Sequence, residues 1–553
     1  MSQKIEGRRL AALKTFAETL IQMLDDFGIR YIFGIPSGPW TPFMEAMRQS
    51  NVEFVLVSNE ASAGFMADVC ARLTGKPGVC YGTFGPGATN LSTGIANALL
   101  DRSPVLALTS QVPTAMRTRM TQMKIDHQAL FEPISKWTAE LSVDTLCETV
   151  IKAVDIACQE VPGPVHLGIP AELGEMPVPD YESVINDAIG RQRQAVTPTG
   201  ESMQQVEQLI KSARKPIVAL GLSVTRADAE AIVNQFVEKQ GIPVILTPMA
   251  KGIISEDSPY YAGVLFHALS DQVAKTHSEA DLVIAIGYDV VEFNYEEWTP
   301  NAPIVHIDTA PADIEPSYEV YEIIGDIRQT LEAMLHFPKF DYDWCVEELQ
   351  TRKEKLFANL SPDMPNFSPH HALNILREVL PDDGIMTCDV GAHTHLIGQL
   401  WKTYRWGNQI MTNGGSSMGF GIPSAIAAKL CCPERQVACV TGDGGFLMMA
   451  GEMATAINLG TPVVFVILTD QNLQLIKIKQ ERKGFPQYGT RLFGDAYNPA
   501  HTYFGVPVLV AKDEETYRSA LIKAFGMNAP VIVEAFVDPT EYDDLILKPH
   551  RES

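Results

Sequence analysis

Two short runs, Gln436–Phe446 (QVACVTGDGGF) and Pro462–Asn472 (PVVFVILTDQN), decide the fold. Each is a β-rich apolar stretch of strand length that stops at a carboxylate, Asp443 in the first and Asp470, 27 residues later, in the second. Glycines flank Asp443, and a glycine backbone without Cβ can approach a phosphate closely. If the two strands are parallel neighbours, both carboxylates meet at the carboxyl edge of the sheet, where open α/β sheets bind ligands. Two carboxylates, a backbone carbonyl and phosphate oxygens make a hard, octahedral magnesium site. The alternative makes GDGG a simple turn and Asp470 a helix N-cap; the pair at this spacing favours the metal.

The same alternation of apolar runs and helical patterns extends over the whole chain and predicts α/β layering with parallel sheets. YIFGIP, EFVLVS, GVCYGTFG, VLALTS and PVHLGIP read as strands in the first third, with amphipathic helices over Leu10–Phe27 and Ala61–Leu73. A polar segment, PVPDYESVINDAIGRQRQAVTPTGE, reads as a linker. KPIVALGL, IPVILTP, DLVIAIGYD and APIVHID follow, and then a second break, FPKFDYDWCVEELQTRKEKLFANLSPDMPNFSPHH. GIMTCDVG, VPVLVAK and APVIVEAFV join the two opening strands in the last third. The reading is three successive domains, about 1–185, 195–340 and 368–540, each a mainly parallel sheet flanked by helices.

With 43 Lys and Arg against 67 Asp and Glu, the net charge of −24 argues against nucleic acid or an anionic membrane as partner. The N-terminal stretch is charged throughout and lacks the apolar core of a signal peptide. Pro462–Leu468, the longest membrane candidate, is far too short to span. Nine cysteines without metal-ligand spacing, several inside apolar runs, point to reduced thiols in a cytoplasm.

A GDG followed about thirty residues later by Asn or Asp at a strand end resembles the thiamine-diphosphate motif of acetohydroxyacid synthases, pyruvate oxidases and related decarboxylases. The resemblance implies thiamine diphosphate and Mg2+ as cofactors, with Asp443, Asp470 and the main-chain oxygen of Asn472 as metal ligands and Gly442, Gly444 and Gly445 beside the cofactor. Most relatives carry Asn where this chain has Asp470, a departure similar to the catabolic acetolactate synthases. Ser58–Asp68 (SNEASAGFMAD), with Gly85–Asn90 (GPGATN), resembles the pyrimidine-binding domain of this family, the first of its pyrimidine-binding, middle and diphosphate-binding trio. There Glu60 stands at the catalytic glutamate, whose carboxyl at the aminopyrimidine favours the imino tautomer that removes the C2 proton. Alone, Glu60 reads as a helix N-cap or first-turn acid. Gly414–Gly421 (GGSSMGFG) resembles the segment in which a large apolar residue, Met418 beside Gly415, bends the cofactor, against a reading of Met418 as core filler. Gly391 and His393 in CDVGAH match a strand-end loop near the diphosphate.

The stretch Gly263–Trp298 (GVLFHALSDQ to NYEEW), with PIVHIDTAPADIEPSYE, resembles the catabolic acetolactate synthases, which use no FAD. A nicotinamide site in ALGLSVT is excluded by the lack of G-x-G-x-x-G. Beyond the metal pair, Leu473, Ile476 and Gln480 share one face of a helix that points at the expected cofactor carbon. Lys479, where the synthases carry an acceptor-selecting residue, is either a solvated lysine or a cation for an acceptor's carboxylate, phosphate or sulfonate. Gln122 and His127, in MTQMKIDHQ, fall near the family's substrate-facing glutamine. The resemblance implies decarboxylation of a pyruvate-like 2-keto acid and ligation to a second keto acid or aldehyde. The rivals are a non-ligating 2-keto acid decarboxylase, a 2-hydroxyacyl lyase, a flavin-dependent oxidase or a non-catalytic subunit. In the family, the glutamate of one subunit faces the metal site of another, which implies a homodimer or homotetramer with interface active sites.

Overall fold

The computed structural model describes residues 14–178, 198, 200–292, 302–494 and 497–546. The chain forms two compact units: the first runs to residue 192 except for 72–74 and 96–102, which belong with the remainder in the second. Three domains, each a mostly parallel sheet flanked by helices, occupy these units. Most of the linker run lies outside the described residues, as do residues 293–300 of the segment resembling the catabolic enzymes.

The first unit holds β1 (Tyr31–Gly34), β2 (Glu53–Leu56), β3 (Gly78–Gly82), β4 (Val105–Gln111), β5 (Trp137–Glu140) and β6 (Val165–Pro170), ordered β2-β1-β3-β4-β6-β5 and all parallel. Every residue of β3, β4 and β6 is buried, as the unbroken apolar runs require for strands covered on both faces. The first helix spans Phe16–Asp26, and residues 10–13 of the predicted Leu10–Phe27 lie outside the described residues. Its start is fixed by a capping box in which Thr15 and Glu18 satisfy each other's backbone N–H groups. The helix Glu60–Thr74 opens where the Asn59 side chain accepts from Ala61 N (2.8 Å) and stops at left-handed Gly75.

The second unit holds two sheets. One comprises β7 (Pro216–Leu220), β8 (Val244–Leu246), β9 (Tyr261–Val264), β10 (Leu282–Ile286), β11 (Ile304–Asp308) and β12 (Val320–Ile324), ordered β12-β11-β10-β7-β8-β9 with the switch point between β10 and β7. The other comprises β13 (Ile385–Cys388), β14 (Gln409–Ile410), β15 (Val437–Gly442), β16 (Val463–Thr469), β17 (Thr502–Tyr503), β18 (Val506–Ala511) and β19 (Val531–Phe536), ordered β14-β13-β15-β16-β19-β18-β17. Only the β17–β18 pair is antiparallel. β15 and β16 are parallel neighbours in register from Val437↔Val463 to Gly442↔Leu468, so the two decisive runs lie side by side.

The second predicted break is partly ordered as a helix, Val346–Leu360. Its apolar face is sparse, with Leu349, Leu356 and Leu360 buried, and Arg352 pairs with Glu348 one turn earlier, so the charge masks the helical period. Among the described residues no helix is long and apolar enough to cross a membrane. None of the nine cysteines forms a disulfide within the chain.

Candidate active site

The carboxyl edge of the third sheet closes around a cavity of about 130 Å³. Its wall carries Gly391, His393, Met418, Gly442, Asp443, Gly444, Gly445, Asp470, Asn472 and Ile476, ten of the residues expected at the cofactor. β15 and β16 end one residue short of Asp443 and Asp470, which is how adjacent parallel strands deliver both carboxylates to one place. Gln471 sits at φ +63 and turns the chain sharply, so its N–H donates to Asp443 Oδ2 (2.7 Å). Asn472 N donates to Asp470 Oδ1 (2.9 Å), and its side-chain amide donates to the Asp470 carbonyl.

Burial pushes the Asp443 carboxyl up to about 6. Burial, then the charge of Asp443, pushes Asp470 up to about 8. Two buried hard oxygen donors, the charge of Asp443 raising the proton affinity of Asp470, suit a small divalent cation, whose charge would reverse both shifts. Among the described residues no third acidic, His or Cys side chain joins them, so further ligands must be backbone, water or phosphate oxygens.

Two of the glycines stand where a side chain would collide. A Cβ on Gly445 would lie 2.6 Å from Thr441 Oγ1 and 2.9 Å from the Asp389 carboxyl, and one on Gly391 would lie 2.8 Å from the His393 ring. His393 lines the cavity and carries a buried Nε2 without a hydrogen-bond partner, and burial pushes its pKa down to about 4. A phosphate at this nitrogen would favour the protonated form, so the wall fits an anionic group.

Asp389, absent from the sequence reading, holds the site's three loops together. Fully buried, it accepts from Val390 N (2.7 Å), Gly419 N (2.8 Å), Gly421 N (3.2 Å) and Thr441 Oγ1 (3.2 Å). It therefore fixes the Met418 loop against the ends of β13 and β15. An acid at the end of β13 repeats the pattern of Asp443, a signal present in CDVGAH. Gln474 and Tyr542 also line the cavity and were missed.

Three expected positions fall elsewhere in the second unit. Gly415 lies off the cavity wall, where its backbone N donates to Asp101 (3.1 Å) and a Cβ would lie 2.1 Å from Asn97 Oδ1. Helix Gln474–Arg482 carries Gln480, whose side-chain amide is taken up by both backbone groups of Tyr488 (2.9 and 3.2 Å), so it does not face the cavity. Lys479 is exposed, and its charge is felt at His395.

In the first unit Glu60 is buried as the first residue of its helix, accepts from Asn90 Nδ2 (3.1 Å), and faces Gly87, where a Cβ would lie 3.2 Å from the carboxylate. Gln122 is exposed. His127 is buried in a directed chain. Gly85 N–H donates to its Nε2 (3.4 Å), so its proton sits on Nδ1 and goes to Thr109 Oγ1 (2.8 Å). The Thr109 hydroxyl then donates to His166 Nε2 (2.8 Å), and His166 Nδ1 donates to Thr138 (2.7 Å).

This fold and cavity define a thiamine pyrophosphate enzyme, and three family models match: the N-terminal TPP-binding domain at residues 14–130, the central domain at 203–334 and the C-terminal TPP-binding domain at 389–535. A probable acetolactate synthase large subunit from Methanococcus aeolicus is 31% identical over 95% of this chain and 92% of its own length. An acetolactate synthase from Bacillus subtilis is 29% identical (96% and 94%), and a catabolic acetolactate synthase from Raoultella terrigena is 27% identical (94% and 95%). The chain belongs to the thiamine-pyrophosphate-dependent, acetolactate synthase-like enzyme family.

Proposed function

We propose that the protein decarboxylates a pyruvate-like 2-keto acid with thiamine diphosphate and Mg2+ and ligates the remaining fragment to a second keto acid or aldehyde. The observation that carries this is the buried Asp443–Asp470 pair on the wall of a glycine-lined cavity. Bound there, thiamine diphosphate would supply the electron sink that decarboxylation of a 2-keto acid requires. Asp443, Asp470 and the Asn472 carbonyl would hold the metal, and Gly391, His393, Gly442, Gly444 and Gly445 would receive the diphosphate. Met418 would set the cofactor's bend, Gly415 would support the Met418 loop, and Ile476 would exclude water beside the reacting carbon. Glu60 would hold a proton at the aminopyrimidine ring. For the substrate we assign Lys479 as the acceptor's cation, with Gln122 and Gln480 as weaker candidates.

We infer a homodimer or homotetramer in which Glu60 of one subunit serves another's cavity. Leu447 and Met448, about half exposed on the short helix that begins at Asp443, are apolar surface that an assembly would cover. We also infer that the central domain carries no FAD. Buried Glu292 accepts from Met249 N (3.0 Å) and Leu222 N (3.4 Å) beside the switch point, setting an anion where a dinucleotide's phosphates would bind. Nine cysteines without a disulfide among them suit a reducing cytoplasm.

The test is a panel of 2-keto acids with thiamine diphosphate and MgCl2 and mass detection of products. Acetolactate from pyruvate is expected. Acetaldehyde without acetolactate would leave a non-ligating decarboxylase, and no decarboxylation of any keto acid would overturn the reading.

A further inference from the structure

Beyond β19 the chain turns back and stays on the unit's surface as Pro539–Glu541 and Tyr542–Leu545. Four sets of bonds hold it there. Asp538 N donates to the Phe367 carbonyl (2.8 Å), and Asn366 Nδ2 donates to the Asp538 carboxylate (2.7 Å). His370 N donates to the buried Glu541 carboxylate (2.7 Å), which also pairs with His370 Nδ1. Leu269 N donates to the Leu545 carbonyl (2.8 Å). Arg482, on the helix that follows the metal pair, donates to the carbonyls of Asp543 (2.8 Å) and Ile546 (2.7 Å).

The strapping pushes the Tyr542 ring, 2% exposed, into the wall of the cavity that holds Asp443, Asp470 and His393. The ring packs in the unit's apolar core, which explains the residue's size but not its hydroxyl. Among the described residues no hydrogen bond to the hydroxyl is formed, which leaves it open to a partner in the cavity that Tyr542 lines. A phenol keeps its proton at physiological pH, so the group can donate a hydrogen bond. The rest of the described wall has no lysine or arginine. His393 is bonded to the Asp389 backbone and must take up a proton before Nε2 can donate. A multiply charged anion in this cavity therefore depends on neutral donors, and Tyr542 is a side-chain donor already carrying its proton.

We propose that Tyr542 is a further cofactor-binding residue whose hydroxyl donates a hydrogen bond to a diphosphate oxygen of thiamine diphosphate, held in place by the Arg482-strapped segment 538–546. This rests on the reading that the cavity takes that cofactor. Phe at 542 keeps the ring and removes only the donor. For Tyr542→Phe, titration of thiamine diphosphate into the full-length apo-protein with MgCl2, followed by calorimetry, is expected to show binding weakened roughly ten- to hundredfold, the range of one hydrogen bond to a charged acceptor. The apo-protein is expected to melt at or above the wild-type temperature, while the rise on adding cofactor shrinks. Arg482→Ser should speed cofactor dissociation in the same direction. Equal wild-type and Tyr542→Phe affinity would overturn the proposal, as would an equal fall in apo and cofactor-loaded melting temperatures, which marks a packing role. If the wild type binds no thiamine diphosphate, the cofactor reading itself fails, a result distinguishable from either.

Discussion

The helices Glu60–Thr74 and Pro86–Leu100 meet at two glycines, and this contact carries a quantitative prediction about catalysis. A Cβ on Gly64 would lie 2.6 Å from Gly94 Cα and 2.9 Å from Gly94 C, both backbone atoms that no side-chain rotation can move. Relief requires the helices to part by roughly 1 Å to reach ordinary carbon contact. Overpacking of this kind costs about 1–3 kcal/mol, or about 2–12 °C of melting temperature for a domain of this size. One turn earlier on the same faces stand Glu60 and Asn90, joined at 3.1 Å. The same separation stretches that bond to about 4 Å, beyond hydrogen-bond range. If Glu60 acts as proposed, it is then misplaced, and an error of about 1 Å in a catalytic group lowers turnover on the order of a hundredfold. Gly64→Ala is therefore expected to lower both the melting temperature and kcat with pyruvate. Thiamine diphosphate affinity, set in the other unit, should change less than kcat. Gly526→Ala, at a helix end with nothing within 4 Å, is the control and should be neutral or slightly stabilising. A Gly64→Ala protein that melts with the wild type and matches its kcat would refute the reasoning.

Three further outcomes follow from the site. Asp389→Asn should destabilise the protein by about 3 kcal/mol and weaken thiamine diphosphate binding, since the buried carboxylate serves three backbone N–H groups; an unchanged melting curve and affinity would show that it positions nothing. Burial pushes His127 down to about 4 from the ordinary 6.5, so the unfolded chain takes up the proton first; stability should be full above pH 6.5 and fall by about 3 kcal/mol as pH drops to 4, measured by melting across that window, and His127→Gln should flatten the slope. Lys479→Gln should raise the acceptor KM with kcat little altered, and an unchanged KM would leave Lys479 a solvated surface residue.

The interior strands were legible because a strand covered on both faces carries a continuous apolar run, as VLAL in Val105–Gln111 and VVFVIL in Val463–Thr469 do. The strands missed are edge strands. Trp137–Glu140 has no fully buried residue, Val320–Ile324 has only one, and Thr502–Tyr503 is too short to show a period. The cofactor wall was readable where strand ends carry Asp and Gly at fixed spacing. Tyr542 was not readable, because its place is set by bonds from Leu269, His370 and Arg482, none adjacent in sequence. The hold of the Tyr488 backbone on the Gln480 side chain was not readable, because helical spacing does not show which loop captures a side chain.

The strapped segment also bears on truncation. Residues 391–476 supply most of the cavity wall, but Tyr542 closes it only after β18 and β19 have been made. A chain ending before residue 542 would keep the paired strand ends that carry Asp443 and Asp470 but lack this part of the cavity wall, and on the proposed role of Tyr542 it would hold the coenzyme less tightly.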